Sequence, residues 1–393
     1  MKKYLSTILL LGSLLCSFCT NKLMDSDGII VQVGQSSTRQ KASDLLSIEG
    51  FTALEFNNDV ELKGISKILF KDDMAIVLNY VGDKQDLWVF DQKTGKALTK
   101  IGKQNNEPDG YDGLNDIAFD GDEIRCSAAG KMSFMNYDLA GNLRSTTKSG
   151  VFGEELERTS SGEYVVYNEY NSTKISGLNH LIFYDRNGNV TKRTYPYPEA
   201  QDGNGYGFAG SLTASDGLWF NPPFCETVFE IVGHKVIPRY VFDFGQKAMP
   251  EDVRQKKMSG WDTDKYSFLS DGFAKTGRFL VLEYHDEQKA KLGVFDEVTG
   301  RFVCLRDLQQ DYLYELIQLG DIFPKGQRSF ALVLRPSRIR YMLKNNLLDL
   351  DGLGERHPNL VTALKNIEPK SNPLILYLAF KPNASIENVS TEK

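Results

Sequence analysis

Six polar residues recur along this 393-residue chain, each directly after a short apolar run. The runs are "MAIVLN", "DEIRCS", "EYVVYN", "GLWFNP", "RFLVLE" and "SFALVLR", and the polar residues that end them are Asn79, Ser127, Asn168, Asn221, Glu283 and Arg335. One such residue per repeat predicts a ring of polar side chains at the mouth of a central channel. Simple strand ends capped by a polar turn residue would give the same pattern.

The chemistry of this ring depends on its charges. Asn and Glu supply the oxygen ligands that Ca²⁺ prefers, so a calcium site built from Asn79, Asn168, Asn221 and Glu283 is one interpretation. Arg335 argues against a bound cation and favours an anionic or sugar-like ligand. We therefore expect no cofactor, with Ca²⁺ as the candidate if one binds.

Catalysis has little support in the sequence. The chain has four His and no Gly-x-Ser-x-Gly motif. His285, two residues after Glu283, is the one candidate general base, and an exposed turn histidine is the simpler interpretation. Cys126, Cys225 and Cys304 lack the spacing of a metal site or a disulfide framework. We expect no catalytic residue.

The elements that must position the polar ring repeat along the chain. An apolar run, an Asp, a turn and a Gly occur at 87–96, 134–143, 181–190 and 292–301. The aspartates are Asp91, Asp138, Asp185 and Asp296, and a weaker copy has Glu230. Each copy predicts a hairpin in which the Asp caps the turn and the Gly leaves it with positive φ. A spacing of 47 residues between the first three aspartates is close to the length of one propeller blade.

Six apolar runs ending in a polar residue predict six blades. The sixth lacks the Asp turn and takes "LILYLAF" (374–380) as its third strand, after a helix-like insertion at 336–372. An unpaired sheet edge is a liability, so we expect "FTALEF" (51–56) to pair with that strand and close the ring. The sequence thus predicts an all-β, six-bladed β-propeller over residues 45–382; a two-sheet sandwich fits the repeat period badly.

The stretch "IGKQNNEPDGYDGLNDIAF" (101–119) resembles the blade junction of six-bladed propellers of the NHL and TolB type. Gly102, Pro108, Tyr111 and the pair Ile117–Ala118 fall where that pattern has Gly, Pro, an aromatic and small apolar residues. Together with both chain ends, this stretch makes the protein similar to TolB-like propeller lipoproteins of gut anaerobic bacteria. The resemblance implies the fold; members of that family largely lack an assigned activity.

The first residues are typical of a targeting segment. Lys2 and Lys3 precede the apolar run Tyr4–Leu15, which is too short to span a bilayer. Cys19 is the expected lipid acceptor because polar sequence follows it at once; Cys16, or secretion without a lipid, remains the alternative. We therefore divide the chain into a signal peptide with its lipoprotein Cys (1–19), a tether (20–44), the propeller (45–382) and a polar tail (383–393). The expected location is the cell envelope, as an outer-membrane lipoprotein.

Charge and loop lengths indicate the partner. The chain carries 46 Lys and Arg against 52 Asp and Glu, and it has no basic stripe interleaved with aromatics, so nucleic acid is not expected. The long links all fall on one face of a propeller, which marks that upper face as the working face. We expect an envelope-anchored binding or scaffold propeller that engages a protein or carbohydrate partner and meets the membrane only through its lipid. The alternative is a Ca²⁺-dependent hydrolase of the lactonase or gluconolactonase type.

Overall fold

Short strands account for most of the regular structure in the computed structural model. The structure describes residues 28–387 with gaps at 35–38, 82–83, 106, 205–210, 255–262 and 319. In these residues, 25 strands form six small sheets arranged in a ring. The predicted all-β, six-bladed propeller is therefore confirmed.

Three elements precede blade one in the described part of the chain. The first elements are β1 (Ile29–Gln32), the single helical turn α1 (Ala42–Leu45) and β2 (Leu46–Ala53). Blade one follows with β3 (Gly64–Lys71), β4 (Met74–Val81), β5 (Lys84–Asp91) and β6 (Ala97–Ile101). Blade two contains β7 (Leu114–Asp120), β8 (Glu123–Ala128), β9 (Ser133–Asp138) and β10 (Leu143–Lys148). Blade three contains β11 (Glu155–Arg158), β12 (Tyr164–Tyr167), β13 (Asn179–Tyr184) and β14 (Val190–Pro196).

The second half repeats this order with more elaborate links. Blade four contains β15 (Leu212–Ala214), β16 (Leu218–Phe220), β17 (Thr227–Val232) and β18 (Lys235–Asp243), followed by α2 (Glu251–Arg254). Blade five contains β19 (Ser267–Thr276), β20 (Phe279–Asp286), β21 (Lys289–Asp296) and β22 (Arg301–Cys304), followed by α3 (Tyr314–Ile317). Blade six contains β23 (Gly320–Lys325), β24 (Ser329–Leu334), the helices α4 (Pro336–Lys344), α5 (Leu350–Arg356) and α6 (Pro358–Lys365), and β25 (Leu374–Phe380).

The Asp-turn hairpins form as predicted. Asp91 Oδ1 accepts a hydrogen bond from the Thr94 backbone N–H at 2.7 Å, and Asp185 Oδ1 accepts one from the Asn187 backbone N–H at 2.9 Å. The glycine that leaves each turn has positive φ, for example +73° at Gly95. The repeat in the sequence is thus a repeat of turn chemistry.

The N-terminal strand closes the ring. β2 pairs antiparallel with β25, from Leu46 opposite Phe380 to Ala53 opposite Leu374. The pairing was predicted from residues 51–56, and the observed strand starts five residues earlier. The sixth blade therefore takes three strands from the end of the chain and its outermost strand from the beginning.

The hydrophobic core is distributed over the seams between neighbouring blades. One buried cluster, for example, joins Val77 and Phe90 of blade one to Val333 and Ile375 of blade six. The largest cluster lies between blades five and six and includes the buried faces of α4 and α6 from the predicted insertion. Each blade is consequently stabilised by both of its neighbours.

Two segments outside the predicted propeller also dock onto it. In the expected tether 20–44, β1 pairs parallel with β18 and makes blade four five-stranded. In the expected tail 383–393, Arg278 donates to the Ala384 carbonyl at 2.6 Å, and Gln40 donates to the Ser385 carbonyl at 2.7 Å. Gln40 of the expected tether and the expected tail therefore meet beside blade five.

Gly95 and Gly300 provide a test of ring closure. Both leave an Asp turn with positive φ, but a Cβ on Gly95 would lie 1.9 Å from the Ala53 carbonyl oxygen of β2, while a Cβ on Gly300 would meet nothing within 4 Å. Gly300→Ala should lower the free energy of unfolding by about 1 kcal/mol through its backbone conformation alone. Gly95→Ala should lower it by more than about 3 kcal/mol because β2 must also shift. Urea unfolding checks this, and equal losses would contradict the close packing of β2 on the first blade.

Candidate functional site

The innermost strands of the six blades surround a central cavity of about 1020 Å³. Those strands are β3, β7, β11, β15, β19 and β23, and neighbouring members contact one another around the ring. Each runs from the upper face, where the chain enters a blade, to the lower face, where the Asp turns lie. A residue's position along its strand therefore gives its depth in the channel.

The two ends of the cavity differ in chemistry. On blades one, two and six the lower end is lined by Leu69, Phe70, Phe119, Phe323 and Pro324, all late in their strands, whereas blade three adds Arg158, Thr159 and Ser160. The carboxyl groups lie at the upper end and midway. In all, the lining has seven acidic residues, namely Asp116, Glu154, Glu155, Glu157, Glu169, Glu283 and Asp321. It has three basic residues, namely Lys67, Arg158 and Arg335. The cavity is thus acidic above an apolar lower wall.

Lys67 links three blades at the centre of the channel. Its Nζ lies 2.7 Å from Asp116 Oδ2 and 2.8 Å from Glu157 Oε1, and it donates to the Leu156 carbonyl at 3.1 Å. All three charged side chains are largely buried, with 15% of Lys67 and 7% of each acid exposed. Burial alone would lower the pKa of Lys67, but the two carboxylates outweigh it and raise that pKa above its ordinary value.

Glu155 extends this linkage to blade four. Its carboxyl accepts hydrogen bonds from the backbone N–H groups of Ser211, at 3.0 Å, and Leu212. Burial raises the pKa of Glu155 well above its usual range, and the nearby Asp116 carboxyl acts in the same direction. The acids on this side of the channel are therefore held by blade-to-blade contacts within the protein.

Glu283 and Arg335 are the two sequence-predicted ring residues that line the cavity. Glu283 lies opposite a bulge at residues 270–272 of β19, and this irregularity lets a second-strand side chain reach the channel. Its carboxyl accepts from Ser270 Oγ at 3.3 Å. Arg335 follows β24 directly and donates to Asp321 Oδ2 from Nε at 3.1 Å and from Nη2 at 2.7 Å.

The pKa of Glu283 is raised to about 7. Burial is the main cause, and the neighbouring Asp321 carboxylate adds to it, whereas Ser270, Arg338 and Arg335 act in the opposite direction. Glu283 therefore changes its charge near neutral pH, which makes the upper mouth sensitive to protonation.

The other four predicted ring residues are not brought to the cavity. Asn79 accepts from the Lys63 backbone N–H at 2.9 Å and donates to the Glu61 carbonyl at 3.1 Å. Ser127 donates to the Gly153 carbonyl at 2.8 Å, and Asn168 accepts from the Gly153 backbone N–H at 3.3 Å. These side chains satisfy the backbone where an innermost strand begins, as turn-capping residues do.

Asn221 has a comparable position in blade four. It is 7% exposed and donates to the Ser270 carbonyl at 3.3 Å. None of the three asparagines lines the cavity with Glu283, and the Oδ1 atom of Asn221 is buried without a hydrogen-bond partner in the described part of the chain. Within the described ranges, no three His, Cys, Asp or Glu side chains group as metal ligands would.

The remaining chemical candidates also lie away from the cavity. His285 stacks on Phe268, with ring centroids 4.9 Å apart, and is not among the cavity-lining residues. Cys126, Cys225 and Cys304 are free and buried. Cys16 and Cys19 lie outside the described residues, so their roles remain predictions.

The Lys67 cluster was not predicted from the sequence. The predicted ring residues end the second strands, whereas Lys67, Asp116 and Glu157 lie within the first strands, in "GISKILFK", "LNDIAFD" and "ELER". The available signal was a charged residue in the middle of an innermost strand. Such a strand is buried, and a buried charge needs a partner.

The fold and cavity define a six-bladed β-propeller with an acidic central channel. The model of the family called Domain of unknown function (DUF4934) matches residues 29–379, and the chain belongs to this family. No curated protein matches the chain. In the part of the chain that the structure describes, no helix is long and apolar enough to cross a membrane.

Two solved structures share this fold. One is a candidate exported protein from Bacteroides fragilis NCTC 9343, with 15% identity and a TM-score of 0.71 over 90% of this chain and 100% of that chain. The other is a member of the DUF4221 family from Bacteroides vulgatus ATCC 8482, with 10% identity and a TM-score of 0.50 over 86% of this chain and 98% of that chain. At these identities the similarity establishes the fold.

Lys67→Met tests whether the central cluster stabilises the ring. The substitution leaves Asp116 and Glu157 buried without their cation, and breaking a buried ion pair in this way costs about 3–5 kcal/mol of the free energy of unfolding. Burial already raises the pKa of both acids, and Lys67 would no longer oppose that shift. Asp116 and Glu157 then stay protonated in the folded variant at pH values at which the same acids in the unfolded chain have ionised, that is, above about pH 4. Its loss of stability in urea should therefore be smaller at pH 5 than at pH 8.

The matched control is a triple variant that combines Lys67→Met with Asp116→Asn and Glu157→Gln. Removing the buried charges should restore part of the stability at pH 8 and abolish the difference between the two pH values. A loss in Lys67→Met that is the same at pH 5 and pH 8 would contradict an ionic role for this cluster.

Proposed function

We propose that this protein is a binding propeller of the cell envelope that holds a protein segment or glycan-like ligand at the upper mouth of its channel, without catalysing a reaction. The central cavity of about 1020 Å³ is the observation on which the proposal depends. Its volume is in the range of small-molecule sites.

The lining chemistry supports recognition of a polar ligand. Carboxyl groups accept hydrogen bonds from hydroxyl and amine groups, and Glu154, Glu283 and Asp321 present such groups at the upper end. The rings of Phe70, Phe119 and Phe323 offer apolar contact further down. A metal-assisted hydrolase of the lactonase type would need oxygen ligands from several blades at one point, and the asparagines expected for that site instead bind backbone groups.

An envelope location is supported by the chain's first residues and by the description of one similar structure. Lys2, Lys3 and the apolar run Tyr4–Leu15 form a signal-like segment, and Cys19 follows it as the proposed lipid acceptor. A similar structure is that of a candidate exported protein. We include in the proposal a TolB-like relationship, based on residues 101–119, and an outer-membrane lipid anchor.

The anchor can be tested by metabolic labelling with a clickable palmitate analogue. Cys19→Ala is expected to abolish the label and to move the protein from the membrane fraction to the soluble fraction, because the thiol that carries the lipid is lost. Cys16→Ala is the matched control and should keep both. Loss of label only in Cys16→Ala would assign the acceptor to Cys16, and an unlabelled wild type would contradict the anchor.

The cavity can be tested by filling it. Asn115 lines the upper mouth, and Asn115→Trp should block ligand entry, whereas Ser337→Trp places the same ring on an exposed position of the same face outside the lining. Among neutral sugars, amino sugars, tripeptides and Ca²⁺, we expect at least one organic ligand to raise the melting temperature of the wild type and of Ser337→Trp but not of Asn115→Trp. Melting without ligand controls for folding.

Two outcomes would contradict the binding function. The first is a panel in which no organic ligand gives a shift that depends on Asn115. The second is a rise in melting temperature with Ca²⁺ that Glu283→Gln abolishes, which would favour the metal-dependent hydrolase.

A further inference from the structure

The charges of the cavity point to the chemical class of the ligand, and this inference rests on the proposed binding function. We infer that the ligand is a small molecule carrying a primary ammonium group, which it presents to Glu283 at the upper mouth of the channel, with Glu154 as a second carboxyl of the same mouth. Amino sugars and polyamines share this chemistry.

The cations of the cavity are largely committed to other carboxyls. Lys67 is held between Asp116 and Glu157, and Arg335 donates twice to Asp321. The third cation, Arg158, lies at the lower end of its strand and is exposed to solvent. The excess of carboxyl groups therefore falls on the upper mouth.

Glu154 and Glu283 are the mouth carboxyls that accept from neutral donors. Glu154 Oε2 accepts from the Asn115 amide at 3.1 Å, and Glu283 Oε1 accepts from the Ser270 hydroxyl at 3.3 Å. Both side chains are half-buried, and burial raises the pKa of each. A partly desolvated carboxylate is stabilised most by a cation that donates hydrogen bonds to it, and an ammonium group supplies both.

The shape of the site restricts the ligand further. The apolar wall of Phe70, Phe119 and Phe323 lies below the acidic mouth in the same cavity. A molecule with an ammonium group on a compact ring or a methylene chain matches both regions at once. A metal ion needs several oxygen ligands around one point, whereas an ammonium group can be bound by one carboxylate, so mouth carboxyls that come from blades three, five and six fit an ammonium group better.

Glucosamine and glucose form a matched pair of probes, since they differ by one ammonium group in place of one hydroxyl. Isothermal titration of the purified full chain should give binding of glucosamine at least tenfold tighter than that of glucose at pH 7, where most of the glucosamine is in its ammonium form. Spermidine, as a polyamine without a ring, tests which source of the ammonium group is preferred. Equal affinity for glucose and glucosamine, with spermidine inactive, would overturn the inference while leaving a neutral-sugar binding function intact.

The pH dependence provides a second test with the same probes. The groups that act on Glu283 are Asp321 of β23, Arg335 after β24 and Arg338 of α4, and the pKa of Glu283 is raised to about 7. A cationic ligand binds the ionised carboxylate, so spermidine, whose primary amines stay protonated over this range, should bind about tenfold more weakly at pH 6 than at pH 8. The change for glucosamine should be smaller, because its amine gains a proton as the pH falls. Binding that tightens on acidification would contradict an ammonium ligand.

Glu283→Gln removes the carboxylate charge and keeps the size of the side chain. This variant should lose at least tenfold in affinity for the ammonium probe that binds and should no longer respond to pH between 6 and 8. Glu107→Gln, an exposed residue of the upper face outside the cavity lining, is the control and should behave as wild type. Unchanged amine binding in Glu283→Gln and in Glu154→Gln would overturn the assignment. A complete absence of binding by any ligand in the panel would instead overturn the proposed function.

Discussion

The pairing of β2 with β25 is the constraint on which the rest of the molecule depends. Each blade packs mainly on its two neighbours, so the ring has no central core to hold it if one seam opens. The seven paired positions from Leu46 opposite Phe380 to Ala53 opposite Leu374 join the first and the last part of the propeller, and they pair the edge that β25 would otherwise expose. The six innermost strands keep their distance around the channel because the ring is closed, and the cavity exists for the same reason.

The channel combines a fixed side and an available side. On the side of blades one to four, Lys67, Asp116, Glu157 and Glu155 are bound to one another or to the backbone of the next blade. On the side of blades five and six, Glu283 reaches the cavity across a bulge, and Arg335 is shared with Asp321 at the rim. The charged groups of the first side are paired within the protein and can keep that side rigid. The polar groups of the second side thus remain accessible to a ligand.

Much of the fold could be predicted from the sequence because turn chemistry is local. An Asp before a turn and a Gly after it specify a hairpin without reference to the rest of the chain, and four copies of that signal gave the blade period. Ring closure was also predictable, since an unpaired "LILYLAF" edge requires a partner. The docking of β1 on blade four was not predictable, because four residues of strand carry too little pattern to identify a distant partner.

The candidate site was predictable only in part, and the reason is geometric. A polar residue at the end of a strand can turn towards the channel or back to the chain, and the sequence is the same in both cases. Asn79 and Asn168 turned to the backbone, while a bulge in the neighbouring strand brought Glu283 to the cavity. The Lys67 cluster joins positions from three blades, and such a contact depends on the ring being assembled.

The parallel strand β1 would have a mechanical consequence if the proposed lipid anchor holds the N-terminus. Its four residues lie along the rim of blade four, from Ile29 opposite Tyr240 to Gln32 opposite Asp243. A pulling force directed along the axis of β1 would load all the rungs of this ladder together in shear instead of separating them one at a time. Such tension would be borne by the outer wall of blade four before it reaches β2, the strand that closes the ring.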